Sequence, residues 1–199
     1  MVGIVDYNMG NLASVKNAFQ LLGVDAKIES DPQKLKDFDR LILPGVGAFG
    51  DAMEHLESIG MDSAIKEYAD SGKYMLGICL GMQLLFNKSE EFGNHNGLGL
   101  IEGEVRKFRD IDFKVPHMGW NRLFPKNSDT LFKGLKDPYL YFVHSYHIVT
   151  DDKYILGETE YGYKFGSSVQ KDNIFGLQPH PEKSHDNGIA ILKNFVDLK

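Results

Sequence analysis

Residues 74–86, YMLGICLGMQLLF, contain the only cysteine of the 199-residue chain, Cys79, with Gly77 and Gly81 two residues away on either side. The apolar run before Cys79 predicts a buried strand, and the run after it predicts a helix. A nucleophile in a sharp strand-to-helix turn needs small neighbours, because the strand and the helix pack closely there. The stretch therefore predicts a nucleophile elbow with cysteine in place of serine. The N–H groups and dipole at the helix N-terminus would then favour the thiolate.

An unreactive Cys79 is the alternative interpretation. Most free cysteines are packed as small apolar side chains and take part in no chemistry. A thiolate nucleophile needs a base, and that base needs a group to orient it. The choice between the two interpretations therefore depends on whether the sequence offers such partners.

The strand–helix alternation around Cys79 extends over the N-terminal half of the chain. Val2–Val5 predicts a buried strand, and Leu12, Val15 and Phe19 recur at helical spacing. Further strands are predicted at 26–30 and 40–43, and further helices around 53–56 and 65–68. This rhythm predicts an α/β fold with a doubly wound, mainly parallel, flavodoxin-like sheet and helices on both faces.

The pattern of apolar and turn-forming residues changes from about Leu98 onward. Short β-like runs joined by turn residues predict antiparallel strands added to the first sheet in the C-terminal half. The apolar periodicity of 189–198 predicts a closing helix. Because no linker or repeat interrupts the chain, we expect residues 1–199 to form a single domain.

Composition and charge exclude several classes of protein. The formal net charge is −6 and the pI is about 5.6, so the chain lacks the excess of basic residues that binding to nucleic acid requires. A lone cysteine forms no internal disulfide, and a reducing cytoplasm is the expected location. No apolar segment approaches the roughly 18 residues that span a membrane, so we expect no membrane partner.

His180, in GLQPHPEKS, is the candidate base. Pro179 and Pro181 restrict the backbone on both sides, and Glu182 follows two residues later. In an extended segment His180 and Glu182 point to the same side, where they can form a hydrogen bond. Cys79, His180 and Glu182 are thus predicted to form a catalytic triad. The alternative is that the histidine between two prolines belongs to a rigid surface turn.

The other six histidines suggest no metal centre. His144 and His147 are three residues apart, but no third ligand lies at a suitable spacing for zinc. We therefore predict no metal and no cofactor. His117, next to Pro116, is expected to be structural or part of an interface. The other three, His55, His95 and His185, are expected at the surface.

The turn LPGVGAFG, at the end of a second predicted strand, has the glycine and proline density of a loop that brings backbone close to a ligand. It lacks the Gly-Lys-Ser/Thr of a phosphate-binding loop. Either a plain strand-to-helix turn or an oxyanion hole explains it. In the second case the amide of Val46 or Gly47 would act together with the amide of Leu80.

Six motifs in order carry a resemblance that covers nearly the whole chain, from DYNMGNL to HPEKS. PGVG, GICLGMQ and HPEKS resemble the class I, or triad, glutamine amidotransferases. LPGVGAFGDAM, GICLGMQLLFNKSEE, GLGLIEG, VPHMGWN and YFVHSYH are similar to one group within that family, the glutaminase subunits of imidazole glycerol phosphate synthases.

The resemblance implies an enzyme that hydrolyses glutamine. Cys79 would attack the carboxamide, His180 would shuttle the proton, and Glu182 would hold the imidazole. Members of the group pass ammonia to a (β/α)₈-barrel synthase subunit in a heterodimer, for the synthesis of imidazole glycerol phosphate and AICAR in histidine biosynthesis. The glutamine-binding positions of the family correspond to Gln83, Glu91, Ser145 and Tyr146. Its partner interface corresponds to Asn11, Trp120, Tyr141 and Lys183.

The residues leave alternatives open beside this resemblance. The family commonly has an aromatic residue where this chain has Pro179, which removes an N–H and restricts φ. A paralogous subunit would feed ammonia to a different barrel-type synthase, such as one making amidino sugars. A binding protein without catalysis and another cysteine hydrolase on the same fold are further alternatives. Trp120, the only tryptophan, suits an exposed anchor or simple core filling.

Overall fold

The computed structural model, which describes residues 1–199, contains one twelve-stranded sheet and a separate two-stranded ribbon. The first elements are β1 (Val2–Val5), α1 (Leu12–Leu21), β2 (Ala26–Glu29), β3 (Arg40–Leu43), α2 (Phe49–Ser58), α3 (Met61–Asp70), β4 (Tyr74–Ile78) and α4 (Leu80–Gln83). The remaining elements are β5 (Phe86–Ser89), β6 (His95–Asn96), β7 (Ile101–Lys107), β8 (His117–Arg122), β9 (Phe124–Pro125), β10 (Tyr139–His144), β11 (Tyr146–Val149), β12 (Ile155–Tyr161), β13 (Tyr163–Lys171), β14 (Ile174–Leu177) and α5 (His185–Val196).

The sheet combines a parallel and a mainly antiparallel region. Strands β2, β1, β3, β4 and β14 lie side by side in that order, and all four pairs are parallel. This is the flavodoxin-like order, with β14 as the fifth strand. Beyond β14 the sheet continues through antiparallel pairs with β13 and β11. The predicted fold class, with antiparallel strands contributed by the C-terminal half, is confirmed.

The two faces of the parallel strands pack against different helices. Alternate strand residues such as Leu41 and Met75 join α2 and α3 in one core. Their neighbours Ile42 and Leu76 join α1 and α5 in the other. This alternation follows from the two-residue period of a strand and places helices on both faces. No helix has the combination of length and apolarity that crossing a bilayer requires.

The helix after Cys79 is much shorter than predicted. It ends at Gln83, and residues 86–89 form β5 instead. The apolar residues Leu84 and Leu85 are buried by the returning segment, whose amides at Leu98 and Leu100 donate to their carbonyls at 2.8 Å. A short apolar run suits a helix or a buried strand equally. With a single turn of helix, the predicted dipole contribution to the thiolate is correspondingly small.

Candidate active site

Cys79 occupies a strained turn between β4 and α4. Its backbone has φ 55° and ψ −113°, a conformation that residues with a Cβ rarely adopt. The strain is sustained by the packing of the two flanking glycines. A Cβ on Gly81 would lie 1.8 Å from the Leu43 carbonyl oxygen, and one on Gly77 would lie 2.6 Å from the Gly81 oxygen. The strand, the turn and the neighbouring strand β3 therefore come together only with glycine at both positions.

The pairing of β4 with β14 brings the candidate base to Cys79. Ile78 lies opposite Leu177, and the Cys79 amide donates to the Leu177 carbonyl at 2.7 Å. His180 follows three residues later, and its amide donates to the Tyr141 carbonyl at 2.9 Å. Residues that are a hundred positions apart in sequence thus reach the same end of the sheet because their strands are neighbours.

His180 and Glu182 form a buried pair. Their Nδ1 and Oε1 atoms are 2.7 Å apart, and their side chains are 3% and 2% exposed. The sequence predicts an extended segment here, but residues 181–183 form one turn of 3-10 helix. The predicted contact between His180 and Glu182 is present, but a helical turn forms it in place of the expected extended strand. A 2.6 Å bond from the Ser184 hydroxyl to the His180 carbonyl fastens this turn.

The electrostatics of His180 depend on its two neighbours. Burial by itself would lower the pKa of His180, but Cys79 and Glu182 raise it to about 10. The His180 Nε2 atom and the Glu182 Oε2 atom are buried and make no hydrogen bond of standard geometry. Hydrogen bonds of catalytic groups are often long or poorly aligned until substrate binds, so the missing bond at Nε2 does not exclude His180 as the base.

A cavity of about 320 Å³ opens beside Cys79. Nine of the predicted site residues line it, namely Cys79, His180, Leu80, Val46, Gly47, Gln83, Glu91, Ser145 and Tyr146. Glu182 lies behind His180 and does not line the cavity. Val143 and His144 complete the wall. Sequence reasoning did not assign either of them to the site.

The turn after β3 presents backbone to this cavity. Pro44 and Gly45 are buried, and the Tyr7 hydroxyl donates to the Pro44 carbonyl at 2.9 Å. Val46 is 42% exposed, and Gly47 has φ 102°, which favours glycine. Opposite this turn, α4 begins at Leu80, so that the Leu80 amide has no acceptor within the helix. Two stretches of backbone therefore flank the sulfur.

Gln83 is held by both hydrogens of its side-chain amide. Nε2 donates to the Tyr146 carbonyl at 3.1 Å and to Gln178 Oε1 at 2.9 Å. The Oε1 atom of Gln83 makes no bond inside the protein and is available to the cavity. Gln178, which sequence reasoning missed, is fully buried and directs its own Nε2 at the Cys79 sulfur, 3.8 Å away. Its position two residues before His180 was the only available signal.

Glu91 is fixed on the far wall of the cavity. Its Oε2 accepts from the Phe49 amide at the start of α2, at 2.8 Å. Burial raises the pKa of Glu91 above its usual value, and the hydrogen bond from the Phe49 N–H offsets only part of that rise. The carboxylate is therefore oriented by a helix N-terminus, which suits it to bind a cationic group.

The predicted interface residues lie on one side of the molecule. Trp120 and Tyr141 face each other across the β8–β10 ribbon, and Trp120 is 48% exposed. Its ring stacks on His185 with a centroid distance of 5.1 Å. Lys183 is exposed in the turn before α5, and Asn11 caps α1, which packs against that turn. Trp120 is thus a surface residue, and core filling does not describe it.

Most of the other histidines are placed as expected, but two form a network that the sequence did not reveal. His117 and His144 are buried and bonded to each other at 2.9 Å. His147 bonds the Ile148 carbonyl and the Tyr163 hydroxyl. His55 and His185 are exposed, whereas His95 is half-buried because its ring packs on Gly50.

Comparison with known proteins identifies relatives along the whole chain. Residues 4–198 match the family model described as glutamine amidotransferase class-I. Three curated proteins named imidazole glycerol phosphate synthase subunit HisH are similar to this chain at full length. They come from Sulfurimonas denitrificans (64% identical, covering 100% of this chain and 99% of that protein), Wolinella succinogenes (58%, 100% and 100%) and Helicobacter hepaticus (52%, 99% and 98%).

Solved structures share the fold at lower identity. PurLQS from Thermotoga maritima superimposes with a TM-score of 0.79 at 22% identity, covering 98% of this chain and 97% of that chain. A crystal structure described as a glutamine amidotransferase gives a TM-score of 0.77 at 18% identity, with 98% of each chain covered. These likenesses concern the fold alone.

Proposed function

Because the chain belongs to the class-I glutamine amidotransferases, we propose that it is the glutaminase subunit of an imidazole glycerol phosphate synthase, acting in histidine biosynthesis. Three full-length relatives that are 52–64% identical are named imidazole glycerol phosphate synthase subunit HisH. The observation that carries the proposal is the convergence of Cys79, His180 and Gln83 on one cavity. A cytoplasmic location is part of the proposal, since a thiol nucleophile has to stay reduced.

The reaction is an acyl transfer in two steps. The sulfur of Cys79 bonds to the carboxamide carbon of glutamine, and the carbon–nitrogen bond breaks. The raised pKa of His180 favours the imidazolium, which gives its proton to the departing ammonia. The imidazole then takes a proton from water, whose oxygen attacks the thioester, and glutamate leaves as the sulfur is released. Glu182 keeps the ring oriented in both steps.

Backbone amides stabilise the tetrahedral intermediates. The Leu80 amide, free at the start of α4, is one donor in the proposed oxyanion hole. The Val46–Gly47 region, at the rim of the same cavity, supplies the other. Such donors act strongly because they are fixed before the charge develops.

The cavity offers complementary groups for free glutamine. Glu91 pairs with the α-ammonium group, because its carboxylate is held in place by the Phe49 amide. The free Oε1 atom of Gln83 accepts an N–H of the substrate. Ser145 and Tyr146 line the same wall, and we assign them to the substrate backbone or carboxamide.

The partner in this proposal is a (β/α)₈-barrel synthase subunit that receives the ammonia in a heterodimer. The face that carries Trp120, Tyr141 and Lys183 leads into the ribbon whose Val143 and His144 line the cavity. A partner seated there would cover the open side of the active site and receive ammonia without release to water. A paralogous synthase as the acceptor remains the alternative, but the names of the three relatives favour the histidine pathway.

Glutamine hydrolysis with and without the barrel synthase subunit encoded in the same genome tests the proposal. We expect ammonia release from L-glutamine to rise when that subunit and its nucleotide substrate are present, and to vanish in Cys79→Ala. Ammonium salt should replace this chain in the synthase reaction. Product formation that still required Cys79 under ammonium salt would contradict the division of labour.

A further inference from the structure

A line of buried and partly buried hydrogen bonds runs from the β8–β10 ribbon to the wall of the active-site cavity. Asn121 Nδ2 lies 3.2 Å from His117 Nε2, and His117 Nδ1 lies 2.9 Å from His144 Nε2. His144 Nδ1 in turn lies 2.7 Å from the Tyr146 carbonyl oxygen. Asn121 is half-buried next to Trp120, whereas His117 and His144 are 3% and 6% exposed.

The partners of this line determine the direction of every bond. A carbonyl only accepts, so His144 Nδ1 carries the hydrogen and, in a neutral ring, His144 Nε2 is the acceptor. His117 Nδ1 must therefore donate to it, and His117 Nε2 accepts from Asn121. The Asn121 amide uses its second hydrogen on the Glu160 carbonyl, at 2.9 Å. A single arrangement of hydrogens therefore satisfies Asn121, His117, His144 and the Tyr146 carbonyl.

The surroundings keep both rings neutral, as this arrangement requires. Burial lowers the pKa of His117 to about 4, and burial lowers the pKa of His144 to about 3. The plane of His117 is set by stacking between Phe142 and Tyr161, with centroid distances of 4.7 Å and 4.0 Å. Neither ring therefore carries charge or turns freely at neutral pH.

The Tyr146 carbonyl is the point where this line meets the glutamine pocket. The same oxygen accepts from His144 and from Gln83 Nε2, which uses both of its lone pairs. With its other hydrogen on Gln178, the Gln83 amide is held in one orientation that turns Oε1 toward the cavity. A displaced Tyr146 carbonyl would release one of the two bonds that orient Gln83.

We propose that His117 and His144 are positioning residues for glutamine recognition. Their neutral, one-directional hydrogen bonds fix the Tyr146 carbonyl and, through it, the Gln83 side chain. This inference rests on the proposed function, because it assigns Gln83 Oε1 to substrate glutamine. The same line of hydrogen bonds connects the ribbon that carries Trp120 to the pocket, so a shift of β8 would change the position of Gln83.

His117 is the better residue to test, since it does not line the cavity and has no route to direct contact with glutamine. His117→Phe keeps the stack between Phe142 and Tyr161 and removes both nitrogens. His117→Asn keeps a donor near the position of Nδ1 and removes the stack. The matched control is His147→Phe, because His147 is buried in the same aromatic cluster but bonds away from the pocket.

The experiment measures KM and kcat for L-glutamine in the complex with the synthase subunit, together with thermal unfolding of each variant. In His117→Phe we expect KM to rise about three- to tenfold, the range that one hydrogen bond contributes. Alkylation of Cys79 by iodoacetamide should stay within about twofold of wild type, because the line does not reach the sulfur directly. In His117→Asn we expect a lower Tm and a KM close to that of wild type.

Two results would overturn this inference and leave the proposed function standing. A normal KM in His117→Phe would remove the line from glutamine recognition. The other result is a KM that rises in proportion to the loss of Tm in all three variants, so that His117→Asn and His147→Phe raise KM as much as His117→Phe does. It would show that the histidines act only in core packing. Wild-type complex that releases no ammonia from glutamine would instead overturn the proposed function, and this inference with it.

Discussion

The Nδ1 atom of His180 lies 2.7 Å from Oε1 of Glu182, and the two buried side chains are only two residues apart in sequence. Nδ1 donates its hydrogen to Glu182, so Nε2 is the ring nitrogen that we propose exchanges protons in the reaction. The His180 ring lines the same cavity as Cys79 and Leu80.

Replacing Glu182 by glutamine should lower kcat for glutamine hydrolysis by about 100-fold or more, because a neutral amide orients the ring without stabilising the imidazolium. The measurement is ammonia release under saturating glutamine. Glu57→Gln, an exposed carboxylate on α2, serves as the control and should retain wild-type kcat. Equal activity in Glu182→Gln and wild type would exclude Glu182 from the mechanism.

The strained backbone of Cys79 predicts a stability difference between two inactive variants. At φ 55° a glycine is relaxed and an alanine is not. We expect the free energy of unfolding of Cys79→Gly to exceed that of Cys79→Ala by about 1 kcal/mol, measured by urea unfolding. Both variants should lose glutamine hydrolysis. A more stable Cys79→Ala would mean that the turn relaxes without cost.

The pH dependence of stability follows from the raised pKa of His180. The folded state binds this proton more tightly than the unfolded state, whose histidine titrates near 6.5. The stabilisation is complete below pH 6.5 and is lost as the pH rises toward 10. Urea unfolding should therefore become easier across that window in wild type. Cys79→Ala, which lacks one of the groups that raise the pKa, should give a flatter profile; identical profiles would contradict this origin.

The contact between Gly81 and β3 predicts a large cost for a single methyl group. Gly81→Ala places Cβ 1.8 Å from the Leu43 carbonyl oxygen, so we expect a loss of about 3 kcal/mol or more in the free energy of unfolding. Gly72→Ala is the control for a methyl group that meets no neighbour. Unlike Gly81, Gly72 has a positive φ, of 78°, but no atom lies within 4 Å of its added Cβ, so this variant should lose only the roughly 1 kcal/mol of backbone strain. Similar losses would show that the backbones separate easily.

Trp120→Ala should weaken the complex with the synthase subunit about tenfold or more, since exposed tryptophans in an interface dominate binding energies. The Tm of the free chain should change little, because the ring rests on the exposed His185. Titration calorimetry and thermal unfolding provide the two readouts. Leu21→Ala, which is 79% exposed at the other end of α1, is the control for a surface change. Unchanged binding with a large loss of Tm would make Trp120 structural.

The sequence alone determined the elements whose causes are local. The glycines around Cys79 predicted the elbow because a turn that tight excludes side chains, and the structure has both glycines in backbone contact. The short β-branched runs and helical periodicities predicted the parallel sheet, and the ordered motifs predicted the family. The roles of the individual cavity residues stay predictions until they are tested.

The tertiary structure decided what depends on neighbours distant in sequence. Whether 84–86 continued as helix was settled by the segment at 97–101, which pairs with it, and periodicity carries no information about that pairing. The contacts of Gln178 and of the His117–His144 line could not be predicted from the sequence for the same reason. A polar side chain takes its role from the donor or acceptor that faces it, and only the packing of β8, β10 and β14 around Cys79 determines which groups face one another.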